Sequence, residues 1–209
     1  MPGRESAHRC CYHSVVNNST DSVSDGTFVT IFLDRDGVVN EKMPEGSYVT
    51  RWEEFHLLPG VPEAIQKLNR AGKRVLVASN QRGVALGLYS GKDVEAIHRR
   101  LQENLLTQNA HIDGFYFCPH DKSACDCRKP LPGMFVQAQR DFPDINAASS
   151  IMLGDSSSDI EFGKRLGMRT IFIEGDPARR KPGWEKAADR ADARFSSLQA
   201  AVDALLKKP

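Results

Sequence analysis

Asp34 and Asp36 stand two residues apart at the end of the apolar run Phe28–Leu33, with Gly37 close behind. On extended backbone, residues two apart point to the same side, so both carboxylates can face one ligand. Gly37 lets the chain turn away without a Cβ penalty. Two adjacent carboxylates repel, and a hard divalent cation with oxygen ligands relieves them. A strand ending in a polar turn is the plain alternative. Three further segments weigh against it. Ser79-Asn80 closes a second apolar run and offers a hydroxyl and an amide to phosphoryl oxygens. Gly154-Asp155-Ser156-Ser157-Ser158-Asp159 is a second acidic loop, able to complete a magnesium site. Between them, Lys129 of Arg128-Lys129-Pro130 can neutralise charge on a transferring phosphoryl group.

A second constellation is Cys118-Pro119-His120 followed by Cys125-Asp126-Cys127. Three thiols and an imidazole within ten residues suit a tetrahedral structural zinc, with a disulfide or chance clustering as alternatives. Four protein ligands leave no open position for catalysis. The expected role is therefore to fix the loop that presents Arg128 and Lys129.

The elements that must position these groups are legible as short apolar strands alternating with amphipathic helices. Strands are expected at Phe28–Leu33, Lys73–Ser79, Ile112–Phe117, Ile151–Leu153, Thr170–Ile173 and Ala193–Phe195. Pro59-Gly60-Val61-Pro62 opens a helix with Val61, Ala64, Ile65 and Leu68 on one face, closed by Gly72. Ser90 and Asp93 form a capping box ahead of a helix with the stripe Val94, Ile97, Leu101 and Leu105. Further helices are expected around Ile160–Leu166 and Leu198–Leu206. The pattern predicts a doubly wound α/β fold with a mostly parallel sheet, whose ligands bind beyond the carboxyl ends of the strands. The intervals Asp36–Lys73 and Asn80–Lys129 leave no room for a separate cap domain.

Length and charge bound the rest. The 209 residues carry 28 basic and 27 acidic side chains, a net charge of +1, which argues against a nucleic-acid or membrane-surface protein. No apolar run reaches the length of a membrane span, and the N-terminus has no apolar signal core. A cytoplasmic location is expected. Residues 1–26 read as a disordered tail and 27–209 as one domain, expected to be a monomer.

On the order D-R-D-G, S-N, K-P and G-D-x-x-x-D, the chain resembles the haloacid dehalogenase superfamily of phosphotransferases. The segment CPHDKSACDCRKP, with Asn80-Gln81 and Gly83, is similar to the D-glycero-D-manno-heptose 1,7-bisphosphate phosphatases and to the related histidinol-phosphate phosphatases. The resemblance implies a Rossmann-like haloacid dehalogenase fold carrying the zinc loop. It implies that Asp34 attacks phosphorus and that Asp36 protonates the leaving oxygen and then activates water. Magnesium would be held by Asp34, the Asp36 carbonyl and Asp155, with Asp159 supporting the loop. Asn80, Arg128, Lys129 and the loop 45–48 would contact the substrate, a small phosphorylated metabolite. Two departures stand out: Ser156 where the heptose enzymes often carry Lys, and Arg82 where a small residue is commoner. Arg82, Arg128 and Lys129 together exceed what one phosphoryl group needs, which favours a sugar bisphosphate over histidinol phosphate.

A nucleic-acid 3′-phosphatase is a third possibility, by fold analogy alone. A zinc-knuckle module leaves the acidic strand ends unexplained, and a silent scaffold would be expected to lack Asp34, Asp36 or Asp155. His8, Cys10, Cys11 and His13 have no framework around them, and His98 and His56 are expected at the surface. Arg179-Arg180-Lys181 is expected to be a solvated run.

Overall fold

The computed structural model describes residues 28–122 and 124–207. The tail and its His8, Cys10, Cys11 and His13 lie outside the described residues. Strand β1 (Thr30–Leu33) leads through a long loop, with a short 3-10 turn at Trp52–Glu54, to helix α1 (Val61–Arg70). Then follow β2 (Arg74–Asn80), the single turn α2 (Arg82–Ala85), α3 (Gly91–Leu106) and β3 (Gly114–Cys118). The metal-type loop leads to α4 (Gly133–Asp141), β4 (Ser150–Gly154), α5 (Ser157–Leu166) and β5 (Arg169–Ile173). Helix α6 (Trp184–Arg190), β6 (Ala193–Phe195) and α7 (Leu198–Leu206) complete the fold.

All the strand pairings are parallel, in the order β3-β2-β1-β4-β5-β6. The order reverses direction at β1, and crevices of doubly wound sheets open at such switch points. Side chains alternate across the sheet as the strand period requires. Ile31, Leu33, Val75, Val77, Ile151 and Leu153 face α1, α3 and α7 in one core. Phe32, Leu76, Ala78 and Met152 face α4 and α5 in the other. Burial on both faces explains why the strands read as continuous apolar runs.

The expected strands and helices are present, with ends shifted by a few residues, and the capping box at Ser90 and Asp93 is formed. Helices α4 and α6 had not been expected. His98 corrects the surface expectation: it is buried and stacks on Phe115 at 4.6 Å. Its spacing from Val94, Leu101 and Leu105 puts it on the same helical stripe. Burial, then the Arg35 charge, hold its pKa well below the usual histidine range, so it is neutral.

Candidate active site

The groups singled out in the sequence converge at the carboxyl edge of the sheet. β1 and β4 are neighbours, and the Asp34 N–H donates to the Leu153 carbonyl at 2.9 Å, extending their ladder to the last residue before the turn. Asp34 and Asp155 therefore leave adjacent strand ends side by side. Gly37, at φ +97°, sits so close to Asp155 that a Cβ there would lie 2.2 Å from Oδ2. Only glycine lets the two loops approach in this way.

Lys129 crosses from the far side of the sheet. Its ammonium, 1% exposed, donates to Asp34 Oδ1 at 2.9 Å and to the Ala78 carbonyl at 2.6 Å, and pairs with Asp159 at 2.6 Å. Burial opposes its charge, yet Asp159 and Asp34 prevail and raise its pKa. Asp159, fully buried, also accepts from the Ser156 N–H at 3.0 Å and the Ser156 hydroxyl at 2.6 Å. Ser156 thus caps α5 where a lysine had been the commoner residue. A cation reaches this point from another loop: Lys42 pairs with Asp155 Oδ2.

Asp36 is held from three sides. Arg35, 1% exposed, and Asn40 donate to Oδ1 at 2.9 and 3.0 Å, and Gln81 donates to Oδ2 at 2.9 Å. Burial pushes Asp36 up, but the Arg35 charge and these hydrogen bonds together hold it below the usual carboxylate range. Asp34 behaves oppositely. Burial and the Asp159 charge, only partly offset by Lys129, push it up to about 7. Burial also raises Asp155 against the pull of Lys42.

Carboxylate oxygens of Asp34, Asp155 and Asp159 lie within 4.8 Å of one another. A buried cluster of oxygen donors, in which burial pushes Asp34 and Asp155 toward protonation, fits a hard divalent cation. The second cluster fits a soft one. Ligand atoms of Cys118, His120, Cys125 and Cys127 also lie within 4.8 Å, with sulfur pairs at 3.1, 3.2 and 3.4 Å. His120 Nδ1 is 3.3 Å from Cys127 and 3.7 Å from Cys118. A disulfide needs about 2.05 Å, and a tetrahedral zinc places sulfurs roughly 3.8 Å apart. None of these sulfur pairs is at bonding distance, so the three cysteines form no disulfide with one another.

Ser79, Asn80, Arg82, Arg128 and Lys129 all line a cleft of about 610 Å³ with Asp34, Asp36 and Asp155, within the usual size for a small-molecule site. The loop 44–49 forms part of its wall. The side-chain bonds refine several expectations. Ser79 Oγ accepts from Gln81 at 2.7 Å. Asn80 clamps the Lys129 backbone, accepting from its N–H at 2.9 Å and donating to its carbonyl at 3.1 Å. Arg82 pairs with Asp121 at 2.6 Å, so its charge is already balanced. Arg128 donates to the His120 carbonyl at 3.4 Å and makes no ion pair among the described residues. Arg179, Arg180 and Lys181 line the cleft from the β5 side, with Arg179 and Lys181 exposed as a solvated run would be. Arg35, Asn40, Gln81 and Lys42 had not been singled out as site residues. Arg35 sits between the two aspartates, and the lone polar residues of a loop carry no comparable signal.

A family model described as HAD-hydrolase-like matches residues 126–201. The chain is 42% identical over 169 residues to a D-glycero-alpha-D-manno-heptose-1,7-bisphosphate 7-phosphatase of Mycobacterium bovis, covering 80% of this chain and 86% of the relative. This chain belongs to the heptose-bisphosphate phosphatase family. A family relative named for the beta anomer, from Rhodopseudomonas palustris, is 40% identical, covering 69% of this chain and 83% of its own length. The family's fold matches as well. The D,D-heptose 1,7-bisphosphate phosphatase of B. bronchiseptica, complexed with magnesium and phosphate, superposes with a TM-score of 0.74 at 30% identity, covering 86% of this chain and 98% of its own.

Proposed function

We propose that this enzyme hydrolyses the 7-phosphate of a D-glycero-D-manno-heptose 1,7-bisphosphate, with Asp34 as the nucleophile. One observation carries the reading: Asp34, Asp36, Lys129 and Asp155 meet in a single cleft, in a chain 42% identical to a phosphatase of that name. Both hydrogen bonds that Asp34 accepts among the described residues, from Lys129 and from the Arg35 N–H, fall on Oδ1. Oδ2 is left for attack on phosphorus. As the Asp34–phosphorus bond forms, the ester bond breaks and Asp36 gives its proton to the leaving sugar oxygen. Water then attacks phosphorus, Asp36 takes its proton, and the acyl phosphate bond breaks. In the substrate-free enzyme Asp36 is held ionised. An arriving phosphoryl dianion favours its protonated form, which the first displacement needs. Lys129 offsets charge on the transferring group. Asp34, the Asp36 carbonyl and Asp155 would hold magnesium, which supplies further neutralisation of the phosphoryl oxygens. Cys118, His120, Cys125 and Cys127 would hold a structural zinc beneath Arg128 and Lys129.

Arg128, with no ion pair among the described residues, is suited to bidentate contact with the distal phosphate. Arg82 contributes less to that surplus than its charge suggests, because Asp121 neutralises it. Steady-state kinetics on both anomers of the heptose bisphosphate and on histidinol phosphate test the reading. A much higher kcat/KM for a bisphosphate is expected, narrowed in Arg128→Ala through a raised KM. A preference for histidinol phosphate contradicts the substrate, and an unchanged ratio in Arg128→Ala contradicts the role of that arginine.

A further inference from the structure

Three carboxylates, Asp34, Asp36 and Asp155, line the cleft with Asp159 buried behind them, and among the described residues three cations form ion pairs with the four. Two of the cations are fixed. Arg35 and Lys129 have side chains 1% exposed, and each is tied by several hydrogen bonds. The third is different. Lys42 comes from the loop after β1, its side chain is 12% exposed, and Asp155 is its only ion-pair partner among the described residues. It borders the main cleft on one side and a smaller hollow of about 170 Å³ on the other. Its four-carbon stem can therefore swing without displacing packed atoms.

Lys42 pairs with Oδ2 of Asp155, and a metal ion held by Asp155 would compete with it for the same carboxylate. We infer that Lys42 is an exchangeable counter-ion: it neutralises Asp155 until a divalent cation arrives, then turns its freed ammonium into the cleft to bind a phosphoryl oxygen. The inference rests on Asp155 being a metal ligand. Exchange of this kind makes metal and phosphate binding mutually supportive. The metal must displace a lysine, and the displaced lysine is then available to the anion. Lys42 is thus a positioning residue for metal and a binding residue for substrate.

Titration calorimetry of the zinc-containing protein with Mg²⁺, and then with inorganic phosphate at saturating Mg²⁺, tests this in wild type, Lys42→Met and Lys181→Met. Lys181→Met controls for general repulsion, since that lysine also lines the cleft and acts on Asp155 through its charge without an ion pair. In Lys42→Met, Mg²⁺ should bind about tenfold tighter, because no ion pair has to be broken, and phosphate several-fold weaker. Lys181→Met should tighten Mg²⁺ far less. Opposite signs for the two ligands are what a merely structural lysine would not give, since its loss would weaken both. Mg²⁺ affinity unchanged or reduced in Lys42→Met, equal tightening in Lys181→Met, or unchanged phosphate affinity would each overturn the inference. Absence of Mg²⁺ binding to wild type would instead remove the metal reading beneath it.

Discussion

Replacing Asn80 separates two roles that its position allows, touching substrate and holding the lysine loop. Its amide accepts from the Lys129 N–H at 2.9 Å and donates to the Lys129 carbonyl at 3.1 Å, a two-point clamp between β2 and the loop after Cys127. Each such bond contributes about 1 kcal/mol net, and a partner left unsatisfied beside a buried residue costs about 1–3 kcal/mol. Asn80 is half-buried, so water reaches part of the gap, and Asn80→Ala should lose about 2–3 kcal/mol in urea denaturation. The Lys129 ammonium keeps its ties to Ala78 and Asp159, which limits the effect on chemistry. Loosening its backbone by an ångström should still lower kcat by about 10–100-fold, with a smaller change in KM. Asn80→Asp retains an acceptor for the N–H but sets a carboxylate against the carbonyl, so it should not rescue the wild-type values. A stability loss below about 0.5 kcal/mol, or a raised KM with kcat intact, would refute the clamp and return Asn80 to direct substrate contact.

Gly37→Ala should destabilise the fold by at least about 1–2 kcal/mol from its positive φ alone. Because the new Cβ would meet Asp155 Oδ2 at 2.2 Å, it should also weaken Mg²⁺ binding, which calorimetry checks. Elemental analysis should find about one zinc per chain. Cys127→Ser should lower the zinc content and the Tm together. Asp34, pushed up to about 7 from the ordinary range near 4, favours folding in its protonated form. Its contribution is complete below about pH 4 and is lost as pH rises through about 7. In Mg²⁺-free buffer, Tm should therefore fall more steeply across that window in wild type than in Asp34→Asn.

The sheet was legible because each central strand is apolar on both faces, so Phe32 counts as strongly as Ile31 and Leu33. Helices α1 and α3 announced themselves through long stripes and, for α3, a capping box. Helix α4 did not. It buries only Met134, Phe135 and Ala138, follows Pro132, and has no side-chain cap. Helix α6 fully buries only Ala187 and Ala188, with Trp184 partly buried beside them. In the site, acidic pairs at strand ends and a dense cysteine cluster are visible as spacings along the chain. Lys42 beside Asp155, or Arg82 beside Asp121, is a pairing across loops 113 or 39 residues apart, and loop conformation decides it. For the same reason the two cations of Arg128 and Arg82 looked equivalent, although among the described residues only Arg82 forms an ion pair.

The account stands on the covalent step at Asp34. Borohydride reduces an acyl phosphate to an alcohol, so quenching the enzyme during turnover of the heptose bisphosphate and mapping its peptides by mass spectrometry tests that step directly. The account predicts homoserine at position 34, dependent on substrate and absent from Asp34→Asn, which should fold normally and show no turnover. Reduction at another aspartate, or an Asp34→Asn protein that turns over near the wild-type rate, would contradict it.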